Sequence, residues 1–337
     1  MLVWHGLRKG LIFMSIEILM VIGFCLAAYS IVGNDVPQTL GTFISSNSHR
    51  PWWVLWIYIS TILVVVLVYG WYASGVGDAS YGRLETIPFP EGGITWLYIV
   101  PPILLLILTK YGIPVSTTFL VLTIFSPASL GSMMVKSMMG YAVAFIVAIV
   151  IYRFVVKQLA RHFAKTRHQE HSKVWMGLQW VSTGFLWSQW LIQDLANIFV
   201  YVPRQVPFEF LMFAITVFVV LLGVILYQRG GAIQNIVDTK TGVTDIRAAT
   251  IIDFLYAIIL LIFKEWSNIP MSTTWVFLGL LAGREFAMSM ILDEVNKHRT
   301  SRNVSADAMK LMFGLAMSVI LATTLPVFYE FVTNFGQ

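Results

Sequence analysis

Four short segments carry the side chains that can do chemistry. PVSTT at 114–118 and PMSTT at 270–274 place a proline ahead of a serine and two threonines, while NDVPQ at 34–38 and QDLAN at 193–197 each set an aspartate among amides. Proline suits the first turn of a helix, where its missing N–H costs nothing, so Pro114 and Pro270 predict helix starts. The unpaired N–H groups of such a start, with the positive end of the helix dipole, suit an anion. Ser116, Thr117, Thr118, Ser272, Thr273 and Thr274 are therefore the candidate substrate-binding residues, with Gln38 and Asn197 as amide partners. The hydroxyls can also turn their oxygens toward a cation. The aspartates ask for different chemistry, because a bare carboxylate in hydrocarbon is costly and repels an anion. Asp35 and Asp194, with Asn34 and Gln193, read as oxygen ligands for a hard cation such as sodium, or as proton carriers. On a helix, Asp35 and Gln38 lie three apart on one face, as do Asp194 and Asn197.

The elements that must position these residues follow from composition. With 58% hydrophobic and 12% charged residues and a mean hydropathy of +0.77, the chain lies outside the soluble globular range and reads as an all-α polytopic membrane protein. Apolar runs near 11–33, 52–74, 139–156, 175–200, 208–228, 247–263 and 308–333 are the expected helical spans. Two more regions, 95–134 and 264–291, are apolar but interrupted by the proline–hydroxyl motifs. The first run is longer than a signal-peptide core of roughly 7–15 residues and is read as a helix of the mature protein.

The motifs recur in order. Pro114 follows Asp35 by 79 residues, and Pro270 follows Asp194 by 76. Between the copies lies the basic stretch KQLARHFAKTRHQEHSK at 157–173. The chain therefore divides into a first repeat, 1–156, a basic connector, 157–174, and a second repeat, 175–337. Each half holds three full spans and one interrupted region, an odd number of crossings, so the expected arrangement is two inverted repeats with interrupted helices or re-entrant hairpins near the midplane. Basic residues gather on the connector's side, which places it in the cytoplasm and both termini outside, although Arg8 and Lys9 point the other way. The net charge of +5 belongs to such loops rather than to a nucleic-acid surface.

NDVPQTLGT and QDLAN resemble the GANDVANAFGT-type signature of the inorganic phosphate transporter (PiT) family, and GIPVSTT and NIPMSTT resemble its PVSTTH signature. The resemblance spans both halves in family order. It implies a sodium- or proton-coupled permease of phosphate, with sulfate as the alternative, whose site uses the aspartates, amides and hydroxyls named above. The chain departs from the pattern in several places: Pro37 and Gln38 replace Ala-Asn, Gln193 replaces Asn, and Trp190-Leu191-Ile192 replaces His-Gly-Ala. Phe119 and Trp275 stand where a histidine usually follows the threonines.

Simpler readings apply elsewhere. Ser and Thr in membrane helices often bond to the preceding turn, but repetition behind the same proline weakens that reading here. Asp35 could sit at the membrane surface, given the polar TLGTFISSNSHR that follows it. Glu17 and Asp253 lie within apolar runs without repeat partners and read as satisfied interior or interfacial acids. Arg284 and Glu285 suggest structural pairing, and His162, His168 and His171 a solvated face rather than a metal site. Gly279 and Gly283 in GLLAG fit close packing within a bundle or a homodimer. Cys25, the single cysteine, forms no intrachain disulfide. No catalytic triad, phosphate-cradling glycine loop or metal signature stands out, so the expectation is a transporter in the cell membrane, not an enzyme, with no cofactor beyond sodium ions or protons. Its partners would be the anion and the lipid bilayer. An anion channel, or a transport-inactive membrane sensor on the same fold, is the alternative.

Overall fold

The computed structural model describes residues 2–73, 77–111, 113, 115–153, 173–231, 233–234 and 246–292, with scattered positions between 309 and 331. Side chains of α1 are described from Glu17 onward. Residues 157–172 of the basic connector, with its three histidines, lie outside the described residues.

The described chain is helical, without strands. α1 (Leu2–Ser46) and α2 (Trp52–Ala73) are followed by a 3-10 turn (Trp96–Ile99), α3 (Val100–Lys110), α4 (Thr117–Phe125) and α5 (Leu130–Ile151). The second part contains α6 (Lys173–Asp194), the short α7 (Ala196–Phe199), α8 (Phe208–Tyr227), α9 (Ile246–Trp266) and α10 (Thr273–Leu292). Four stretches, Glu17–Ser46, Trp52–Ala73, Pro127–Ile151 and Phe208–Tyr227, are long and apolar enough to cross a bilayer. They present Ile57, Val65, Val135, Ile146 and Val220 outward, as lipid-facing helices must. α6, α9 and α10 have 20 to 22 residues, about 30 Å at 1.5 Å each, but carry buried polar side chains. The protein is an all-α polytopic membrane protein.

Packing joins the two parts of the chain: α5 lies along α10 and α2 along α8, while within the second part α6 lies along α9. Gly279 and Gly283 make the first of these contacts possible, because a Cβ at either would collide with the backbone carbonyl of Tyr141 or Phe145 on α5. The GLLAG spacing thus serves a contact within the chain. On α2, the Trp56 indole donates to the Val219 carbonyl at 2.8 Å, fixing α2 against α8.

The structure corrects several expected boundaries. α1 does not stop near residue 33 but continues through Pro37 to Ser46, so NDVPQ lies inside a helix and Asp35 is only 1% exposed. The expected 175–200 span is broken: α6 ends at Asp194, and α7 resumes at Ala196. α5 begins at Leu130, nine residues before the expected 139. Pro270 does not occupy a helix start. α4 begins at Thr117 behind Ser116, whose hydroxyl accepts from the Phe119 N–H at 3.2 Å; α10 begins at Thr273 behind Ser272, whose hydroxyl accepts from the Trp275 N–H at 3.4 Å. A serine that caps the third N–H stabilises a helix end by about 1 kcal/mol, a contribution proline cannot make, so the serines set the register. Pro270 stays in the non-helical break, and position 114 lies outside the described residues.

Candidate functional site

The two broken regions meet end to end. Thr118 on α4 donates to the Met271 carbonyl at 3.2 Å, and Thr274 on α10 donates to the Val115 carbonyl at 3.4 Å. Each bond runs from the third hydroxyl of one motif to the residue just before the serine of the other. One position further on, Phe119 and Trp275 pack edge to face with ring centroids 5.5 Å apart. These are the two positions where the resembled family carries histidine, and here they form a buried aromatic pair.

The aspartate segments flank this junction. α1 brings Asp35 against the start of α4, where Thr117 donates to Asp35 Oδ2 at 2.9 Å. Asn34 donates to Asp35 Oδ1 at 2.6 Å and also to the Val115 carbonyl at 3.0 Å, tying α1 to the break. From the other half, Asn197 on α7 donates to Asp194 Oδ1 at 2.7 Å and reaches Thr117 and Thr118 at 3.3 and 3.2 Å. Leu195 keeps helical dihedrals, so Asp194 and Asn197, three apart, share one face that meets the threonines of α4. Asp194 stands beside Thr273 and is fully buried. Asp35, Asn34, Asn197, Asp194, Thr117, Thr118, Thr273 and Thr274 thus converge, and Ser116 and Ser272 serve as caps.

Gln38 and Gln193 behave alike. Gln38 donates to the Asn34 carbonyl and Gln193 to the Leu260 carbonyl, both at 2.9 Å, and each leaves its Oε1 buried without a partner. Asn197 Oδ1 and Asp194 Oδ2 are likewise unpartnered. Four buried acceptors on the two aspartate motifs therefore have no donor from the protein by hydrogen-bond geometry, and groups of this kind are satisfied by water, by a cation or by donors on a ligand. Hard oxygen donors of this kind suit sodium.

Other residues join the site that sequence reasoning did not single out. The Tyr256 hydroxyl on α9 donates to the Thr273 carbonyl at 2.9 Å and lies near both aspartates. A tyrosine in an apolar run gives no local signal of this kind. Arg83 approaches from the loop after α2 and interacts electrostatically with Asp194. Lys136 on α5 donates to the Ser267 and Ile269 carbonyls at 2.6 and 2.7 Å, holding the break before α10.

The remaining candidates lie elsewhere. Asp253 accepts from Thr42 at 2.5 Å and Thr183 at 2.6 Å, a satisfied carboxylate joining α9 to α1 and α6. Glu17 is exposed and borders a cavity of about 530 Å³ lined by Phe89, Glu91 and Pro203. The Arg284 guanidinium sits 5.9 Å over the Tyr152 ring. Among the described residues no cluster of three His, Cys, Asp or Glu could hold a metal ion.

With this geometry in place, comparison with known proteins is informative. A solved structure of "the sodium-dependent phosphate transporter" superposes on 93% of this chain and 99% of its own, with a TM-score of 0.59 at 16% identity. This chain shares that fold. No protein-family model matches the chain, and no curated protein matches it in sequence. The shared fold extends over nearly the whole of both chains.

Proposed function

We propose that the chain is an ion-coupled secondary transporter, a symporter, of inorganic phosphate that works by alternating access across the cell membrane. Residues 1–156 and 175–337 form two inverted repeats, joined by a cytoplasmic connector at 157–174. The solved neighbour, described as sodium-dependent and phosphate-transporting, supports sodium as the coupling ion and phosphate as the cargo.

The observation that carries this reading is the junction itself. Reciprocal bonds between Thr118 and Met271, and between Thr274 and Val115, bring two helix starts together beside two buried aspartates with unpartnered acceptors around them. Cations taken by Asp35 and Asp194, with Asn34 and Gln193, offset the carboxylate charge and permit an anion at the helix starts. The Ser116, Thr117, Thr118, Ser272, Thr273 and Thr274 set, with Gln38 and Asn197, then surrounds the anion.

Asp194 Oδ2 favours phosphate over sulfate. It is an unpartnered acceptor, and hydrogen phosphate can donate its proton there while sulfate can only accept. Once ions and anion are bound, the neutralised site becomes able to pass between outward- and inward-open forms.

The reading is tested by reconstituting the purified protein in liposomes and following radiolabelled phosphate and sulfate under an inward sodium gradient, an inward proton gradient, or neither. Phosphate accumulation driven by a gradient is expected. Equilibration that ignores both gradients would instead show a channel, and flux of neither anion would overturn the transport reading.

A further inference from the structure

The loop that follows α2 is built with unusual care for a connection between helices. Asp78 accepts three hydrogen bonds, from the Ser80 N–H at 2.7 Å, the Ser80 hydroxyl at 2.6 Å and the Gly82 N–H at 2.7 Å. Tyr81 adopts a left-handed backbone, with φ of 58°, and its hydroxyl donates to the Val66 carbonyl at 2.6 Å, pinning the loop to α2. The Tyr81 ring fills the space over Gly70, where a Cβ would collide with it. Gly82 follows with φ of 73°, a conformation glycine adopts without strain. Farther on, Arg204 donates to the Ile87 carbonyl through Nε at 2.9 Å and Nη2 at 2.7 Å, closing the far end.

The product of this construction is the placement of Arg83. Two consecutive left-handed residues turn the chain so that the next side chain enters the protein, where Arg83 is 1% exposed. Its Nη2 donates to the Ile269 carbonyl at 3.2 Å, three residues before the Ser272 cap of α10. Nε and Nη1 have no partner. Burial pulls the guanidinium down to about 10, opposed by the nearby Asp194 carboxylate, so it keeps its charge at neutral pH. A buried cation with unused donors is expensive, and the fork of a guanidinium matches the oxygens of a tetrahedral oxyanion. Lys136, which holds the same break, already directs its ammonium to two carbonyls. Arg83 is the one of the two with buried nitrogens that have no partner at all.

We propose that Arg83 is an anion-binding residue of the transport site, supplying a charged, forked donor to the oxyanion held at the start of α10. This deepens the phosphate reading and rests on it. It also explains how an anion tolerates Asp194: the guanidinium interacts electrostatically with that carboxylate and offsets its charge near the start of α10.

The test uses the purified full-length chain in detergent with sodium present, its thermal stabilisation titrated with inorganic phosphate and, separately, sulfate. In R83Q the apparent affinity for phosphate is expected to fall at least about tenfold, equivalent to about 1.4 kcal/mol, and sulfate binding to weaken with it. The stabilisation by sodium alone is expected to persist, because Arg83 is not among the cation's oxygen ligands. R83K keeps the charge without the fork and is expected to lose at least about threefold in phosphate affinity. R83Q with phosphate affinity within about twofold of the unmodified chain overturns the proposal, as does loss of the sodium response together with the phosphate response, which would mark Arg83 as scaffold. Should R83Q fail to fold, unchanged affinity in R83K overturns it equally. An unmodified chain that responds to neither anion overturns the phosphate reading beneath it.

Discussion

Asp35 and Asp194, from different halves of the chain, are joined by a hydrogen-bonded bridge of two side chains: Thr117 donates to Asp35, and Asn197 donates to both Thr117 and Asp194. The bridge makes the two carboxylates one unit, since a change at either is felt through a shared hydroxyl. It also ties that unit to the first turn of α4, so occupancy by a cation is communicated to the helix start proposed to hold the anion.

Thr117→Val removes the hydroxyl at the middle of the bridge and leaves Asp35 Oδ2 without its donor. Loss of a buried donor to a charged acceptor costs about 1–3 kcal/mol, so the variant should melt several degrees lower and require a higher sodium concentration for half-maximal uptake. Thr117→Ser keeps the hydroxyl and should retain most of the sodium affinity. Equal sodium dependence in the valine and serine variants would contradict the bridge.

Gly279→Leu tests the contact between α5 and α10. A side chain there meets the Tyr141 carbonyl, a backbone atom that cannot rotate away. Overpacking of this kind typically costs about 1–3 kcal/mol, and more where backbone must move. Thermal unfolding in detergent should show a clear drop in Tm, while an unchanged Tm would mean the helices do not pack as described.

Arg204→Lys probes the loop that carries Arg83. Arg204 reaches the Ile87, Val200 and Val202 carbonyls through three nitrogens, a pattern a single ammonium cannot reproduce. Each lost bond from a charged donor is worth about 1.5–3 kcal/mol, so the loop should open to proteolysis sooner and phosphate affinity should fall as Arg83 loses its support. Limited proteolysis read by mass spectrometry, with cleavage within residues 77–95, checks this.

Much of this arrangement was legible in the residues because duplication is visible without any structure. The paired Ser-Thr-Thr and aspartate motifs pointed to one another across more than 150 positions, and Thr118, Thr274, Thr117 and Asn197 do meet. The register was harder. Proline reads as a helix start, but a serine cap supplies an acceptor that proline lacks, so the helices begin at Thr117 and Thr273. NDVPQ reads as a helix end because four polar or breaking residues fall together. It lies within α1 instead, since Asn34 and Asp35 find donors and acceptors on the start of α4 and burial becomes tolerable. Arg83 and Tyr256 gave no signal. One looked like a loop charge and the other like an apolar span residue, and only the fold brings them to the aspartates. Asp253 looked like an isolated acid because its two hydroxyl partners, Thr42 and Thr183, lie far away in sequence.

The most direct measurement is the steady-state phosphate accumulation ratio in liposomes under an inward sodium gradient, for the unmodified protein beside Asp35→Asn and Asp194→Asn. The account predicts accumulation above the equilibrium level in the unmodified protein and its loss in both variants, with folded protein retained in each. Gradient-driven accumulation that survives either substitution would contradict the claim that the two buried carboxylates couple the ion to the anion.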